Sequence, residues 1–260
     1  MPFLQLEQHS LHYRLDGADD GRPWLVFCNS LGTDLRMWDG QVEALGRHFR
    51  ILRYDRRGHG LSSAPPPPFT LAELADDVLA LMDHLAIGRA RFCGLSIGGL
   101  VGQWLAITAG HRFDAFVFCA TAARIGSPAS WQDRIDAVLS GGLSPLMAGT
   151  AERWFTAHLR SDAPETVRQF MTTFAQTSVD GYIGCCAALR DADLRPDLGR
   201  IQQPVLAISG KEDLVCVASD LDLIAASVQH GRHLSLPGRH IVNVESPDPF
   251  NAALIDFLVA

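Results

Sequence analysis

The stretch from Phe92 to Leu100 reads Phe-Cys-Gly-Leu-Ser-Ile-Gly-Gly-Leu and contains G-x-S-x-G. A serine hydroxyl attacks a carbonyl only when it is exposed and held beside a base. A sharp turn from strand to helix presents it, but strains the backbone and brings helix and strand close together. Gly94 and Gly98, which flank Ser96 two residues away on either side, leave room for that approach. Leu95 and Ile97 are too bulky for a loop that cradles phosphate, and G-x-G-x-x-G does not occur here. Nucleophilic attack by Ser96 is therefore the chemistry to look for. It needs a base, an acid to orient the base, and donors for an oxyanion.

The base and acid must come from later in the chain, because this kind of turn is followed in sequence order by the acid and then the histidine. His230, His233 and His240 are the histidines late enough to serve. The run from His233 to Leu236 reads as a strand, which His230 precedes and His233 opens, so both lie at its wrong end. His240, in Pro237-Gly238-Arg239-His240, follows the strand at the carboxyl edge, where open α/β sheets hold their sites. The preceding strand, Pro204 to Gly210, leads into Lys211-Glu212-Asp213. Asp213 lies three residues past Gly210 and is preferred to Glu212 as the orienting acid. One oxyanion donor is the backbone N–H of Ile97, next to Ser96. The other is the N–H of Leu31, in the loop Asn29-Ser30-Leu31-Gly32-Thr33-Asp34.

These residues need elements to position them. Phe3 to Glu7 and Leu11 to Leu15 alternate apolar with polar and predict an antiparallel hairpin at a sheet edge. Trp24 to Cys28, Ile51 to Tyr54, Ala90 to Cys93 and Phe113 to Cys119 are apolar runs suited to strands buried on both faces. Helices are predicted around Met37 to Phe49, from Thr70, where Glu73 completes a capping box, and from Leu100 onward. Asp55-Arg56-Arg57-Gly58-His59-Gly60-Leu61-Ser62 reads as a charged, stapled turn in which His59 and Ser62 are structural.

Between residues 123 and 194 the strand–helix alternation stops. Only helical segments appear there: Trp131 to Leu139, Ala151 to Leu159, Glu165 to Thr177 and Gly181 to Leu189. Such a block is read as a cap inserted into a core made of residues 1–122 and 195–260. Strand and helix then resume, with a helix at Ala218 to Val228 and a last one at Pro249 to Leu258.

Composition limits the partners. The net charge of −7 argues against nucleic acid, and an anionic substrate would need local cations. The six cysteines form no C-x-x-C, and the Cys185-Cys186 pair lacks metal-ligand spacing. Met1-Pro2-Phe3 opens no signal-peptide pattern, and no apolar run reaches membrane-spanning length. The expectation is a reduced, cytoplasmic protein that does not bind membranes.

With the triad and cap in place, the chain resembles the α/β-hydrolases, and within them the bacterial enol-lactonases of aromatic catabolism. The resemblance is carried by Ser30 to Asp34 with Met37-Trp38, by Arg53-Tyr54-Asp55 with Arg57-Gly58-His59-Gly60, and by Phe92 to Ser96. Gln103-Trp104-Leu105 and Gly184-Cys185-Cys186-Ala187-Ala188-Leu189-Arg190 complete it. It implies a mostly parallel eight-stranded sheet flanked by helices with an inserted helical cap. It also implies hydrolysis of 3-oxoadipate enol-lactone by Ser96, His240 and Asp213 through an acyl-enzyme, with no metal or cofactor; the alternatives are a related esterase, thioesterase or carbon–carbon hydrolase with the same triad, and a non-catalytic ligand receptor on the same fold. A homo-oligomer is left open. Leu214-Val215-Cys216 departs from the family's proline-containing turn after the acid. The implied substrate carries an acetate arm, for which Trp131 and Arg134, three residues apart on one helix face, are the candidate contacts. Arg124 and Arg190 compete for that role.

Overall fold

The computed structural model describes residues 2–259. Eight strands form one sheet: β1 (Phe3–Gln5), β2 (Ser10–Asp16), β3 (Trp24–Cys28), β4 (Arg50–Tyr54), β5 (Ala90–Leu95), β6 (Phe113–Cys119), β7 (Val205–Gly210) and β8 (Gly231–Leu236). Their spatial order is β1-β2-β4-β3-β5-β6-β7-β8, antiparallel at the β1–β2 edge and at β2–β4, and parallel from β4 to β8. Leu25 to Cys28 in β3 and Phe116 to Cys119 in β6 are fully buried, as apolar runs covered on both faces must be.

The helices are α1 (Asp39–Leu45), α2 (Leu71–His84), α3 (Ile97–Thr108), α4 (Pro128–Gly141), α5 (Met147–Trp154), α6 (Ala157–Asp162), α7 (Pro164–Gln176), α8 (Val179–Asp191), α9 (Ala218–Ser227), α10 (Val242–Glu245) and α11 (Pro247–Leu258). Five of them, α4 to α8, lie in sequence between β6 and β7. The capping box at α2 is present in both directions: Thr70 Oγ1 accepts from the Glu73 N–H at 3.2 Å, and Glu73 Oε2 accepts from the Thr70 N–H at 2.7 Å. A cap of this kind is worth about 1 kcal/mol.

Boundaries differ from expectation in several places. The helix after β3 begins as a 3-10 turn, Leu35–Trp38, and α1 stops at Leu45. The segment Ala151 to Leu159 is two helices, because Thr156 starts α6 as its N-cap. The last helix starts at Pro247, after a separate short α10. His233 is the third residue of β8 and does not open it.

The strand order places the site. Chain progression runs from β3 outward to β4 and then returns to the other side of β3 with β5, so the loops after β3 and β5 diverge from neighbouring strand ends. Open α/β sheets form their binding crevice at such a point, outside the carboxyl ends of the strands. Register keeps that edge level: Cys28 pairs with Gly94, Leu95 with Cys119, Cys119 with Ile208, and Gly210 with Leu236. Leu31, Ser96, Asp213 and His240 all follow those strand ends.

Behind this edge, the turn after β4 is held by buried charge. Asp55 accepts from the Leu35 N–H at 2.8 Å, the Leu61 N–H at 2.9 Å and His12 Nδ1 at 2.7 Å. Ser62 Oγ donates to the Asp55 carbonyl at 2.6 Å. His59 Nδ1 donates to the Arg57 carbonyl at 3.2 Å, while its Nε2 is buried with no partner. Burial, and then the adjacent Arg56 charge, pushes the His59 imidazole down from 6.5 to about 3. The unfolded chain therefore takes up a proton near pH 6.5 that the native fold refuses until about pH 3. This contribution to stability is intact above pH 6.5 and is lost as the pH falls through that window. Replacing His59→Gln should flatten the acid-side fall of the urea midpoint. An unchanged pH slope would contradict this assignment.

Candidate active site

Ser96 sits at the junction of β5 and α3 with φ 59° and ψ −121°, a conformation that residues with side chains rarely adopt. Its surroundings hold it there. The Ser96 N–H donates to the Cys119 carbonyl at 2.9 Å, and its carbonyl accepts from the Thr121 hydroxyl at 2.7 Å and the Leu100 N–H at 3.1 Å. A Cβ on Gly94 would lie 2.2 Å from the Gly98 carbonyl oxygen, and one on Gly98 would lie 2.2 Å from that of Cys28. Both glycines are thus required by close backbone approach, and the second lets the β3 loop pass directly over the start of α3. Ile97 is the first residue of α3, where N–H groups have no partner within the helix and the helix dipole favours negative charge.

The β3 loop is pinned from behind. Asn29 Nδ2 donates to the Tyr54 carbonyl at 2.8 Å, and Asn29 Oδ1 accepts from Trp38 Nε1 at 2.9 Å. Buried Arg56 donates to the carbonyls of Asn29 and Ser30, and the Thr33 hydroxyl adds a bond to Ser30 O at 2.9 Å. In a trans peptide the carbonyl and the following N–H point in opposite directions. With Ser30 O turned towards Arg56, the Leu31 N–H therefore faces away from it. Among the described residues, neither the Leu31 nor the Ile97 N–H donates to a backbone acceptor.

The loops after β7 and β8 run side by side. Lys211 N–H donates to Leu236 O at 2.8 Å, Glu212 N–H donates to Gly238 O at 2.9 Å, and a Cβ on Gly210 would strike the Arg239 carbonyl at 2.2 Å. This brings Asp213 Oδ2 to 2.9 Å from His240 Nδ1, with both residues buried. Asp213 Oδ1 accepts from the Val215 N–H at 2.7 Å and the Cys216 N–H at 3.2 Å. The Leu214-Val215-Cys216 segment is thus folded around the carboxylate itself, which fixes one oxygen and leaves the other for the ring. Glu212 is exposed. Ser96 and His240 are both buried, at 6% and 2% exposure, and among the described residues no hydrogen bond joins Ser96 Oγ to His240 Nε2.

A second serine–histidine–carboxylate chain lies on the same sheet. Ser209 Oγ is 2.9 Å from His233 Nε2, and His233 Nδ1 is 2.5 Å from Asp222 Oδ1. Ser209 is fully buried inside β7 and also bonds Ser235 at 3.0 Å, so this chain staples β7 to β8 and α9. What distinguishes Ser96 is the strained turn, not the company of a histidine.

The helical insertion touches the histidine loop. The Ile241 N–H donates to the Trp154 carbonyl at 3.2 Å, and Arg239 donates to the Glu152 carbonyl. Glu245 accepts from the Thr156 N–H at 2.8 Å and the Thr156 hydroxyl at 2.9 Å, which explains why the predicted single helix breaks there. The Arg134 guanidinium lies 5.7 Å from the centre of the Trp131 ring and donates to the Tyr182 hydroxyl at 3.1 Å. Trp131 Nε1 donates to the Ile125 carbonyl at 2.6 Å. The competing arginines are committed elsewhere: Arg124 to Asp193 at 3.3 Å, and Arg190 to Asp191 at 2.8 Å. A groove of about 720 Å³ lined by Leu15, Leu35, Leu61, Thr173 and Gln176 touches none of Ser96, Asp213 and His240. Arg56, Glu245 and Tyr182 had no local sequence signal, because their partners are distant in the chain.

The geometry agrees with what this chain is similar to. Residues 23–247 match the family model described as the alpha/beta hydrolase fold. The 3-oxoadipate enol-lactonase 2 of Acinetobacter baylyi is 43% identical over 96% of this chain and 94% of that protein. The crystal structure of the enol-lactonase from Burkholderia xenovorans superposes with a TM-score of 0.98 at 43% identity, covering 100% of both chains. That of a hydrolase from Pseudomonas aeruginosa gives 0.96 at 48% identity, covering 100% of this chain and 98% of the other. The chain belongs to the α/β-hydrolase family, in its enol-lactonase branch.

Proposed function

We propose that the protein is a serine hydrolase that opens 3-oxoadipate enol-lactone to 3-oxoadipate. One observation carries the reading: a buried Asp213–His240 pair at 2.9 Å shares the carboxyl edge with Ser96 on its strained turn. The similarity to enol-lactonases then names the ester.

Ser96 Oγ attacks the lactone carbonyl as His240 Nε2 takes its proton, while Asp213 Oδ2 steadies the imidazolium through Nδ1–H. The oxyanion is held by the N–H groups of Leu31 and Ile97, and losing one such donor costs about 3 to 4 kcal/mol. When the ring C–O bond breaks, an enolate leaves with the acyl group still on Ser96. His240 returns the proton and the enol tautomerises to the ketone. Water, deprotonated by His240, then releases the new carboxylate and restores Ser96. An enolate is a better leaving group than an alkoxide, so general-acid help is less demanding at that step.

Residues 123–194 act as a cap over the strand ends, with Arg134 meeting the substrate's carboxylate and Trp131 supporting Arg134. The substrate is a small anionic lactone. The six cysteines are buried free thiols, which suits a reducing cytoplasm. Among the described residues no helix is long and apolar enough to cross a membrane.

Ser96→Ala should reduce lactone opening by about ten-thousand-fold or more with the fold retained by circular dichroism. A loss smaller than about tenfold would remove Ser96 from the mechanism. Asp213→Asn should cost about ten-thousand-fold in kcat by favouring the wrong tautomer of His240. Glu212→Gln, on an exposed side chain, should be near neutral, and the reverse ranking would move the acid by one position.

A further inference from the structure

Arg160, Arg168 and Arg190 in the helical insertion each pair with a carboxylate. Arg134 and Arg153 are half-buried there and, among the described residues, neither has an acidic partner. Arg134 donates to the Tyr182 hydroxyl at 3.1 Å, and Arg153 donates to Thr150 Oγ1 at 3.1 Å. Burial, and then the nearby Arg134 charge, pushes the Arg153 guanidinium below its ordinary value. Tyr182 is buried, which raises its hydroxyl to about 12, so it keeps its proton and can donate. Glu152, whose charge also acts on Arg153, is exposed and pairs with Arg160 at 4.0 Å. Two half-buried like charges with so little compensation are unfavourable, and a carboxylate placed between them relieves the repulsion while accepting charge-assisted hydrogen bonds.

Aromatic contacts link these groups to the loops that carry Leu31 and His240. The Tyr182 ring meets Phe174 edge-on at 5.6 Å, and Phe174 fills the space beside Gly32, where a Cβ would lie 2.5 Å from its ring. Gly32 follows Leu31 in the oxyanion loop. Trp154, next to Arg153, also meets Phe174 edge-on at 5.8 Å, and its carbonyl holds the N–H of Ile241, next to His240.

We propose that Arg153 joins Arg134 and the Tyr182 hydroxyl in a two-arginine seat for the substrate's carboxylate, which makes Arg153 a specificity-determining residue. The proposal rests on the reading of the substrate as an anionic lactone, and its test separates the two. Hydrolysis of p-nitrophenyl acetate, a neutral ester, is measured with butyrate as competitive inhibitor in the parent, Arg153→Ala, Arg153→Met and Arg153→Lys. KM for the enol-lactone is measured alongside.

Loss of a charge-assisted bond should weaken butyrate inhibition by about tenfold in Arg153→Ala and Arg153→Met, more than any change in KM for the neutral ester. Arg153→Lys should recover part of the loss, since it restores charge without the planar fork. The enol-lactone KM should rise in step. If the lactone is not turned over but butyrate inhibition still depends on Arg153, the seat stands and only the substrate's identity falls. Equal effects on butyrate and the neutral ester, or no recovery by lysine, would mean that Arg153 supports the cap and reads no charge.

Discussion

The close approach of two backbones beneath Ser96 is the constraint on which the rest of the site depends. Gly98 carries no side chain because the Cys28 carbonyl occupies that space, and Gly94 none because Gly98 does. A Cβ at Gly98 would push the end of β3 away from α3, and one at Gly94 would push β5 away from it, so either would disturb the turn that holds Ser96 under strain. A residue held at positive φ costs on the order of 1 to 3 kcal/mol, and it persists because the surrounding structure over-determines it. Here the Cys119 carbonyl, the Thr121 hydroxyl and the first turn of α3 do so. The strain is local and the restraint is shared among three elements.

The remaining parts are positioned by the sheet. Parallel strands with level carboxyl ends deliver four loops to one edge, and each loop is then fixed by buried polar groups. Arg56 turns the β3 loop carbonyls away from the site. Asp213 folds its own loop by accepting two N–H groups on one oxygen. The histidine loop leans on the helical insertion through Trp154 and Thr156. His240 is therefore held by the core on one side and by the insertion on the other, so displacement of α5 and α6 would be felt there.

Most of the core could be read from the sequence, because its signals are local. The β3 and β6 runs, the Thr70–Glu73 box and the elbow each declare themselves within a few residues. The preference for Asp213 over Glu212 rests on where β7 ends, and it is Asp213 that meets His240 Nδ1. What could not be read depends on contacts between distant segments. The break between α5 and α6 comes from Glu245, far along the chain, capturing Thr156. Which insertion arginines lack a carboxylate depends on how α4, α5 and α8 face one another. No periodicity records that, so nothing local marks Arg153 or Tyr182 beside Arg134. The Ser209–His233–Asp222 staple gives the converse lesson: residue types and distances suited to catalysis also serve to tie strands together.

The most direct test of the account is covalent labelling with a fluorophosphonate, followed by intact-mass and peptide-mass analysis, with lactone opening assayed in the same samples. The account predicts one label per chain, on Ser96, with loss of lactone opening in proportion to labelling. Label on Ser62, Ser209 or another serine, or full lactone opening by a chain labelled at Ser96, would contradict it.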